Sequence, residues 1–183
     1  MKNIAIISSS VRKNRASHKI ALYVKQYMES NKMAKCDILD LKEFNFPLFD
    51  ERLMFMENPS KEVLDYVERF DKADGIIIIS PVYNQGFPAS LKNVIDLLYP
   101  QWKRKVVGLI TATASPYIGV APYFQIENIL MRMGAIVTPT TYNATEIDSL
   151  FDKDGVPVDI NKINKQLSPM VEEFIWMVER LKE

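Results

Sequence analysis

Two stretches of this chain carry side chains suited to gripping an anion and a planar ring. The first runs Ser8-Ser9-Ser10-Val11-Arg12-Lys13-Asn14-Arg15-Ala16-Ser17-His18 and leads into a helical pattern. A helix start offers unpaired N–H groups and positive partial charge, and a guanidinium fork matches phosphate oxygens. Each charge-assisted hydrogen bond contributes about 1.5–3 kcal/mol, and the helix dipole adds ~0.3–1 kcal/mol. Three or four such contacts suffice for one phosphate monoester. Taken alone, the stretch reads equally well as a solvated basic turn with Ser17 as N-cap. It is neither a Walker loop nor a GxGxxG turn.

The second stretch is Ser80-Pro81-Val82-Tyr83-Asn84-Gln85-Gly86-Phe87-Pro88, followed by Ala89-Ser90-Leu91-Lys92-Asn93-Val94-Ile95-Asp96. Two prolines stiffen a loop that presents Tyr83 and Asn84, an aromatic ring and an amide suited to the edge of a heterocycle. The alternative is a tight turn with Tyr83 packed for structure. A third loop, Thr113-Ala114-Ser115-Pro116-Tyr117-Ile118-Gly119, follows another apolar run.

These loops must be held by the elements that flank them. Asn3–Ile7, Cys36–Leu41, Gly75–Ser80 and Val106–Thr111 are strand-length apolar runs, and Ala135–Pro139 is a weaker fifth. The continuous run Ile76–Ile79 fits a parallel strand covered on both faces. Between the runs lie helical stripes: Ile20, Val24, Tyr27 and Met28; Val63, Val67 and Phe70 within Glu57–Lys72; Leu91, Ile95 and Leu98, with Pro88 in the first turn; and Phe124, Ile129, Leu130 and Met133, ended by Gly134. Met170, Val171, Phe174, Val178 and Leu181 predict a last helix with Ser168 as N-cap and Pro169 at N1, after a short helix holding Ile160, Ile163 and Leu167. Alternating strands and helices imply one doubly wound α/β domain over 1–183, a three-layer flavodoxin-like fold. Its five-stranded parallel sheet has the order 2-1-3-4-5. Such sheets bind ligands outside the carboxyl ends of their strands, where all three loops lie. Leu41–Pro59 is a long irregular segment, read as a site wall, a subunit contact or plain cover for the sheet edge.

The pattern P-x-Y-N-x-x-x-P-x-x-L-K-N-x-I-D over Pro81–Asp96 resembles the signature loop of the NADPH-dependent FMN reductase family, which includes azobenzene and quinone reductases. The first stretch is similar to that family's S-x-R-x-x-R phosphate loop. The likeness extends from Ile4 to about Gly155. It implies that Ser10, Arg12, Arg15 and Ser17 surround the phosphate of FMN. Pro81, Val82, Tyr83 and Asn84 would contact the isoalloxazine or ribityl, and Ser115 and Gly119 would close over the pyrimidine end. Lys92, Asn93 and Asp96 would be structural. NADPH or NADH would reduce the flavin at N5 with no catalytic side chain, and a quinone, azo, nitroaromatic, metal or free-flavin acceptor would take the electrons. A homodimer or homotetramer is also implied, with Leu41–Pro59 and Asp148–Gly155 bordering the neighbouring subunit's flavin. Three positions depart from the pattern: Val82 replaces a frequent Glu, Gly119-Val120-Ala121 replaces paired glycines, and Ser8 replaces a glycine.

Composition narrows the remaining classes. Lysine plus arginine balance aspartate plus glutamate at 23 each, so the chain lacks the basic excess of a general nucleic-acid or membrane-surface binder. A flavodoxin-type electron carrier or sensor, the non-catalytic alternative, is usually acidic and has no arginines in its phosphate loop. Cys36 and His18 are the sole residues of their types, which excludes an internal disulfide and Cys/His zinc sites, and no carboxylate cluster suggests a metal. Cys36 reads as buried filler, and His18 as a solvent-facing residue at a helix start. Trp102 and Trp176 read as core or subunit contacts. The N-terminus runs straight into a strand with no signal-peptide pattern, and no apolar run approaches a membrane span, so a cytoplasmic protein is expected.

Overall fold

The structure, a computed structural model, describes residues 1–181. Strands β1 (Lys2–Ser8), β2 (Ala34–Asp40), β3 (Gly75–Pro81), β4 (Val106–Ala112), β5 (Ile136–Val137) and β6 (Tyr142–Ala144) alternate with helices. The helices are α1 (Ala16–Ser30), α2 (Leu41–Phe44), α3 (Lys61–Lys72), α4 (Ala89–Leu97), α5 (Val120–Arg132), α6 (Ile147–Leu150) and α7 (Ile160–Arg180). The sheet order is β2-β1-β3-β4-β5 and its ladders are parallel, as the alternation predicts. The isoleucine run of β3 serves both faces. Ile77 and Ile79 join Ile4, Ile6 and Ile110 beneath α1 and α7, while Ile76 and Ile78 join Ala5, Ile7 and Leu109 beneath α3, α4 and α5.

The fifth strand is split. Pro139 has no N–H to give the ladder, so pairing stops after Thr138, whose N–H reaches the Val107 carbonyl at 2.9 Å. The Thr141 hydroxyl then donates to the Leu109 carbonyl at 2.7 Å. β6 resumes pairing on β4 from Tyr142 opposite Ile110. This sixth strand was not read from the sequence.

The last two expected helices are one. Asp159, not Ser168, caps α7, its carboxylate accepting from the Lys162 N–H at 2.9 Å, and Pro169 lies inside the helix. An interior proline costs about 3 kcal/mol. Ile163, Leu167, Met170, Val171, Phe174 and Val178 are all buried along one stripe, and at about 1.5–3 kcal/mol each they outweigh it. Gly75 and Gly108 let this stripe approach closely: a Cβ on Gly75 would stand 2.6 Å from Val178 Cγ2, and one on Gly108 would stand 3.2 Å from Phe174 Cδ2.

Smaller corrections concern helix phase and ends. Leu130 is buried as expected, but Phe124 is 60% exposed, because α5 turns Tyr123 and Ile126 inward instead. Pro88 is the N-cap of α4, and α3 begins only after Ser60, whose hydroxyl accepts from the Val63 N–H at 3.3 Å. Leu41–Pro59 holds α2 and a short 3-10 turn at Leu53–Phe55. Phe44, Phe46, Leu53 and Met56 pack on the core. Asn93 ties the segment to α4, donating to the Pro47 carbonyl at 2.7 Å and accepting from the Phe49 N–H at 3.3 Å. Trp102 is buried while Trp176 is exposed. Cys36 is buried, and burial pushes its thiol up to about 12.

On the outer edge of β2, flanking helices occupy the backbone. Glu29 accepts from the Cys36 N–H at 3.0 Å, Lys25 donates to the Cys36 carbonyl at 2.5 Å, and Arg69 donates to the Ile38 carbonyl at 2.9 Å. Among the described residues no helix is long and apolar enough to cross a membrane, and no group of three or more His, Cys, Asp or Glu could hold a metal ion.

Candidate functional site

A cavity of about 200 Å³ opens at the carboxyl ends of β1, β3 and β4. Ser10, Arg12, Arg15, Ser17, Pro81, Val82 and Tyr83 line it, so the fold brings the first two chemical stretches together. Asn84, Ser115 and Gly119 are not among its lining residues. Nor does any residue of Leu41–Pro59 line it.

The first rim is built from three serines, each only 1% exposed. Ser8 Oγ is hydrogen-bonded to His18 Nδ1 at 2.9 Å. Ser9 donates from both N–H and Oγ to the Ile79 carbonyl, and its own carbonyl accepts from Ser90 Oγ at 2.6 Å. Ser10 Oγ shares a 2.7 Å hydrogen bond with the Tyr83 hydroxyl. The rim is thereby tied to α1, β3, α4 and the second loop. Helix α1 has no side-chain cap at its start and no acidic residue in its first turn. Its N-cap is Arg15, which places the buried Ser17 inside the first turn and rules out the capping role.

The two arginines differ. Arg12 is exposed, its guanidinium 5.6 Å from the centroid of the Tyr83 ring, within range for a cation–π contact. Arg15 forms a two-pronged ion pair with Asp40, and its Nη1 also donates to the Ser10 carbonyl at 3.0 Å. Asp40 is 2% exposed and accepts from the Lys42 N–H at 3.0 Å. Burial works to raise its carboxyl, but the hydrogen bonds from Arg15 and Lys42 and the charge of Arg15 outweigh this and hold it below the usual carboxylate range. His18 is half-buried, 3.6 Å from Asp40, and does not simply face solvent. Its pKa is lowered by burial first and by the charge of Arg15 second.

The second rim is a two-residue turn. Tyr83 and Gly86 exchange backbone hydrogen bonds of 2.8 and 2.9 Å around Asn84 and Gln85, at φ 49° and 63°. Two successive left-handed residues define a type I′ geometry that favours Asn and Gly. Asn84 tolerates this conformation, whereas Gln85 carries local strain of about 1–3 kcal/mol. Gln125 braces Gln85 by donating to its carbonyl at 3.2 Å.

The third rim, after β4, is held at its base. Thr113 N–H donates to the Ala144 carbonyl at 2.9 Å, and the Ile147 N–H donates to the Thr113 carbonyl at 3.1 Å. Ser115 makes local bonds to Thr113 Oγ1 and the Tyr117 N–H, both 3.1 Å, and its carbonyl accepts from the Glu146 N–H at 3.1 Å. Gly119 is buried against Val82: a Cβ there would stand 2.2 Å from Val82 Cγ2. Two of the departures from the reductase pattern are thus in mutual contact.

Sequence reasoning missed Asn14 in the lining and Asp40 behind it, and it assigned Asp148 to a border with the neighbouring subunit's flavin, whereas Asp148 lines the cavity of its own chain. Asp148 reaches the wall because β6 returns the chain there, which Pro139 concealed. Asp40 had a signal: in parallel register it lies opposite Ser8, at the carboxyl end of the neighbouring strand. The donor set fits a phosphate monoester with an attached ring: buried hydroxyls, an uncapped helix start and an exposed guanidinium, next to a stiff aromatic turn.

A family model described as NADPH-dependent FMN reductase matches residues 2–148. An NAD(P)H-dependent FMN reductase of Saccharomyces cerevisiae is 32% identical over 115 residues, a stretch covering 56% of this chain and 60% of that protein. A quinone reductase of Pseudomonas putida is 23% identical over 180 residues, 94% of this chain and 90% of its own. Among solved structures, a flavoenzyme NAD(P)H:acceptor oxidoreductase from Paracoccus denitrificans superposes with a TM-score of 0.80 at 23% identity, covering 98% of both chains.

Proposed function

Because the chain belongs to the NADPH-dependent FMN reductase family, we propose that its cavity holds FMN and that the protein oxidises NAD(P)H and passes the electrons to a small-molecule acceptor. One observation carries this reading: the cavity's first two rims match the two ends of FMN, an anion cradle facing a proline-bounded aromatic turn. FMN supplies the hydride chemistry when bound, and the chain supplies placement and electrostatics.

Ser10, Ser17 and the N–H groups of Ala16 and Ser17 at the start of α1 hold the phosphate, with Arg12 as the exposed counter-charge. Pro81, Val82, Tyr83 and Asn84 border the ring and ribityl, and the Ser10–Tyr83 hydrogen bond fixes the spacing of the two rims. Ser115 and Gly119 belong to the outer lip. The acceptor is a quinone, azo, nitroaromatic, metal-ion or free-flavin species reaching an open slot. The chain acts as a single domain in the cytoplasm, a reading supported by a lone, buried thiol. It assembles as a homodimer or homotetramer, supported by the exposed Leu48, Met54 and Phe55.

Titrating the flavin-free protein with FMN and following NADPH and NADH oxidation with menadione as acceptor tests the reading. Saturable FMN binding with acceptor-dependent nicotinamide oxidation is the expected result. Binding without oxidation leaves a flavodoxin-type carrier or sensor, and no FMN binding overturns the assignment. Light scattering that finds only monomer removes the assembly.

A further inference from the structure

We propose that Asp40 is the positioning residue for the phosphate end of the site, and that it sets the discrimination between FMN and the same flavin without its phosphate. The inference rests on the FMN reading and deepens it.

Asp40 does not line the cavity, so it touches no ligand there. Its side chain is 3% exposed, and both carboxylate oxygens engage the Arg15 fork. One of them also accepts the Lys42 N–H, which fixes the carboxylate at the start of α2. Arg15 is the residue from which α1 departs, and its guanidinium reaches back to the Ser10 carbonyl. Ser10 in turn bonds Tyr83. A chain of contacts therefore runs from the end of β2 through Asp40, Arg15 and Ser10 to the ring-side turn, closing the first loop into a fixed shape.

This arrangement divides the labour between the two arginines. The charge of Arg15 is matched by a buried carboxylate, so its part is to hold the loop's carbonyl and the helix start in place. Arg12, with no carboxylate in contact among the described residues, provides the unpaired positive charge. A preorganised cradle binds more tightly than one ordered by its ligand, because the ordering cost falls on folding and not on binding. Removing the Asp40 charge releases the fork and loosens the phosphate end, while the ring-side turn stays braced by Gln125.

The test measures dissociation constants of FMN and riboflavin for the flavin-free wild type, Asp40→Asn, Arg15→Lys and the double variant. Asn keeps the shape and one acceptor oxygen, and Lys keeps the charge without the fork. Each single variant is expected to lose about tenfold or more in FMN affinity, equal to about 1.4 kcal/mol per tenfold, with riboflavin affinity unchanged. The double variant is expected to lose no more than either single, since both break one link. Retained riboflavin binding shows that each variant folds.

Equal losses for FMN and riboflavin would overturn the proposal in favour of a general structural role. Unchanged FMN binding would overturn it, and so would tighter binding, which would mean that Asp40 holds Arg15 back from the phosphate. A wild type that binds both flavins equally removes the phosphate cradle and leaves a flavin site. A wild type that binds neither removes the FMN reading itself and this inference with it.

Discussion

The rim after β1 and the rim after β4 face one cavity but are built in opposite ways. Ser8, Ser9 and Ser10 are almost wholly buried and bond to four different elements, whereas Tyr117 and Ile118 are 80% and 59% exposed. The β4 rim is fastened at its base by backbone bonds to β6 and α6, and at its far end by the contact of Gly119 with Val82. Shape on the β1 side is thus stored in buried side-chain hydrogen bonds, and on the β4 side in backbone bonds at the base with one steric contact at the far end. Buried polar contacts leave a group unsatisfied when one partner goes, while a close steric contact is also upset when a group is added.

The largest expected effect breaks the comparison at the ligand. Arg12→Ala should weaken FMN binding by about 1.5–3 kcal/mol, the worth of a hydrogen bond to a charged group. Tyr117→Ala on the opposite rim should leave FMN affinity within about 0.5 kcal/mol, as surface changes usually do. Flavin titrations of both variants check this. Comparable losses would mean that the two rims hold the ligand equally.

Next, Gly119→Ala should destabilise the fold by about 1–3 kcal/mol, the usual cost of overpacking. Because the clash is with one side chain, Val82→Ala in the same chain should recover most of the loss. Thermal melts of the four chains in that cycle decide it. No rescue would mean that the β4 rim is not held by this contact.

Ser9→Ala sharpens the other side. It removes the hydroxyl donated to the Ile79 carbonyl at 2.7 Å, but the Ser9 N–H continues to serve that carbonyl. The expected cost is therefore about 0.5–1.5 kcal/mol, read by urea denaturation.

The smallest effect is set by pH. The folded pKa of His18 lies below its ordinary 6.5, with burial as the first cause. The unfolded chain takes up a proton near pH 6.5 and the folded one only at lower pH. Stability is then fully present above about pH 6.5 and falls as pH drops from there to the folded pKa. Asp40 behaves likewise in a lower window, beginning near its ordinary 3.8. Denaturation midpoints of the wild type and His18→Gln between pH 7.5 and 5 should converge as the pH falls. Parallel curves would remove His18 as the source.

Much of this was legible in the sequence because parallel α/β chains repeat one pattern. Ile76–Ile79 marks a doubly covered strand, and the carboxyl ends of such strands locate the site before any contact is known. What escaped depends on distances along the fold. Pro139 broke the fifth apolar run, so β6 was hidden, and with it the return of Asp148 to the wall of its own chain's cavity. Pro169 read as a helix start, since local propensity carries no information about six buried side chains lying on a sheet. Asp40 was overlooked because its partner Arg15 is far away in sequence and meets it only when β1 and β2 pair in register. The composition of Ser10–Ser17 suggested an anion-binding rim but could not show that Arg15 pairs with a buried carboxylate while Arg12 stays exposed.

The plugged margin of β2 constrains how copies of this protein meet. With Glu29, Lys25 and Arg69 bonded to the Cys36 amide and to the Cys36 and Ile38 carbonyls, the middle of that border has little backbone to offer an incoming extended segment. Contacts between copies along this edge are therefore favoured through helix faces and loops over extension of the sheet at β2. Trimming those three long side chains would expose a sticky seam prone to fibrous self-association.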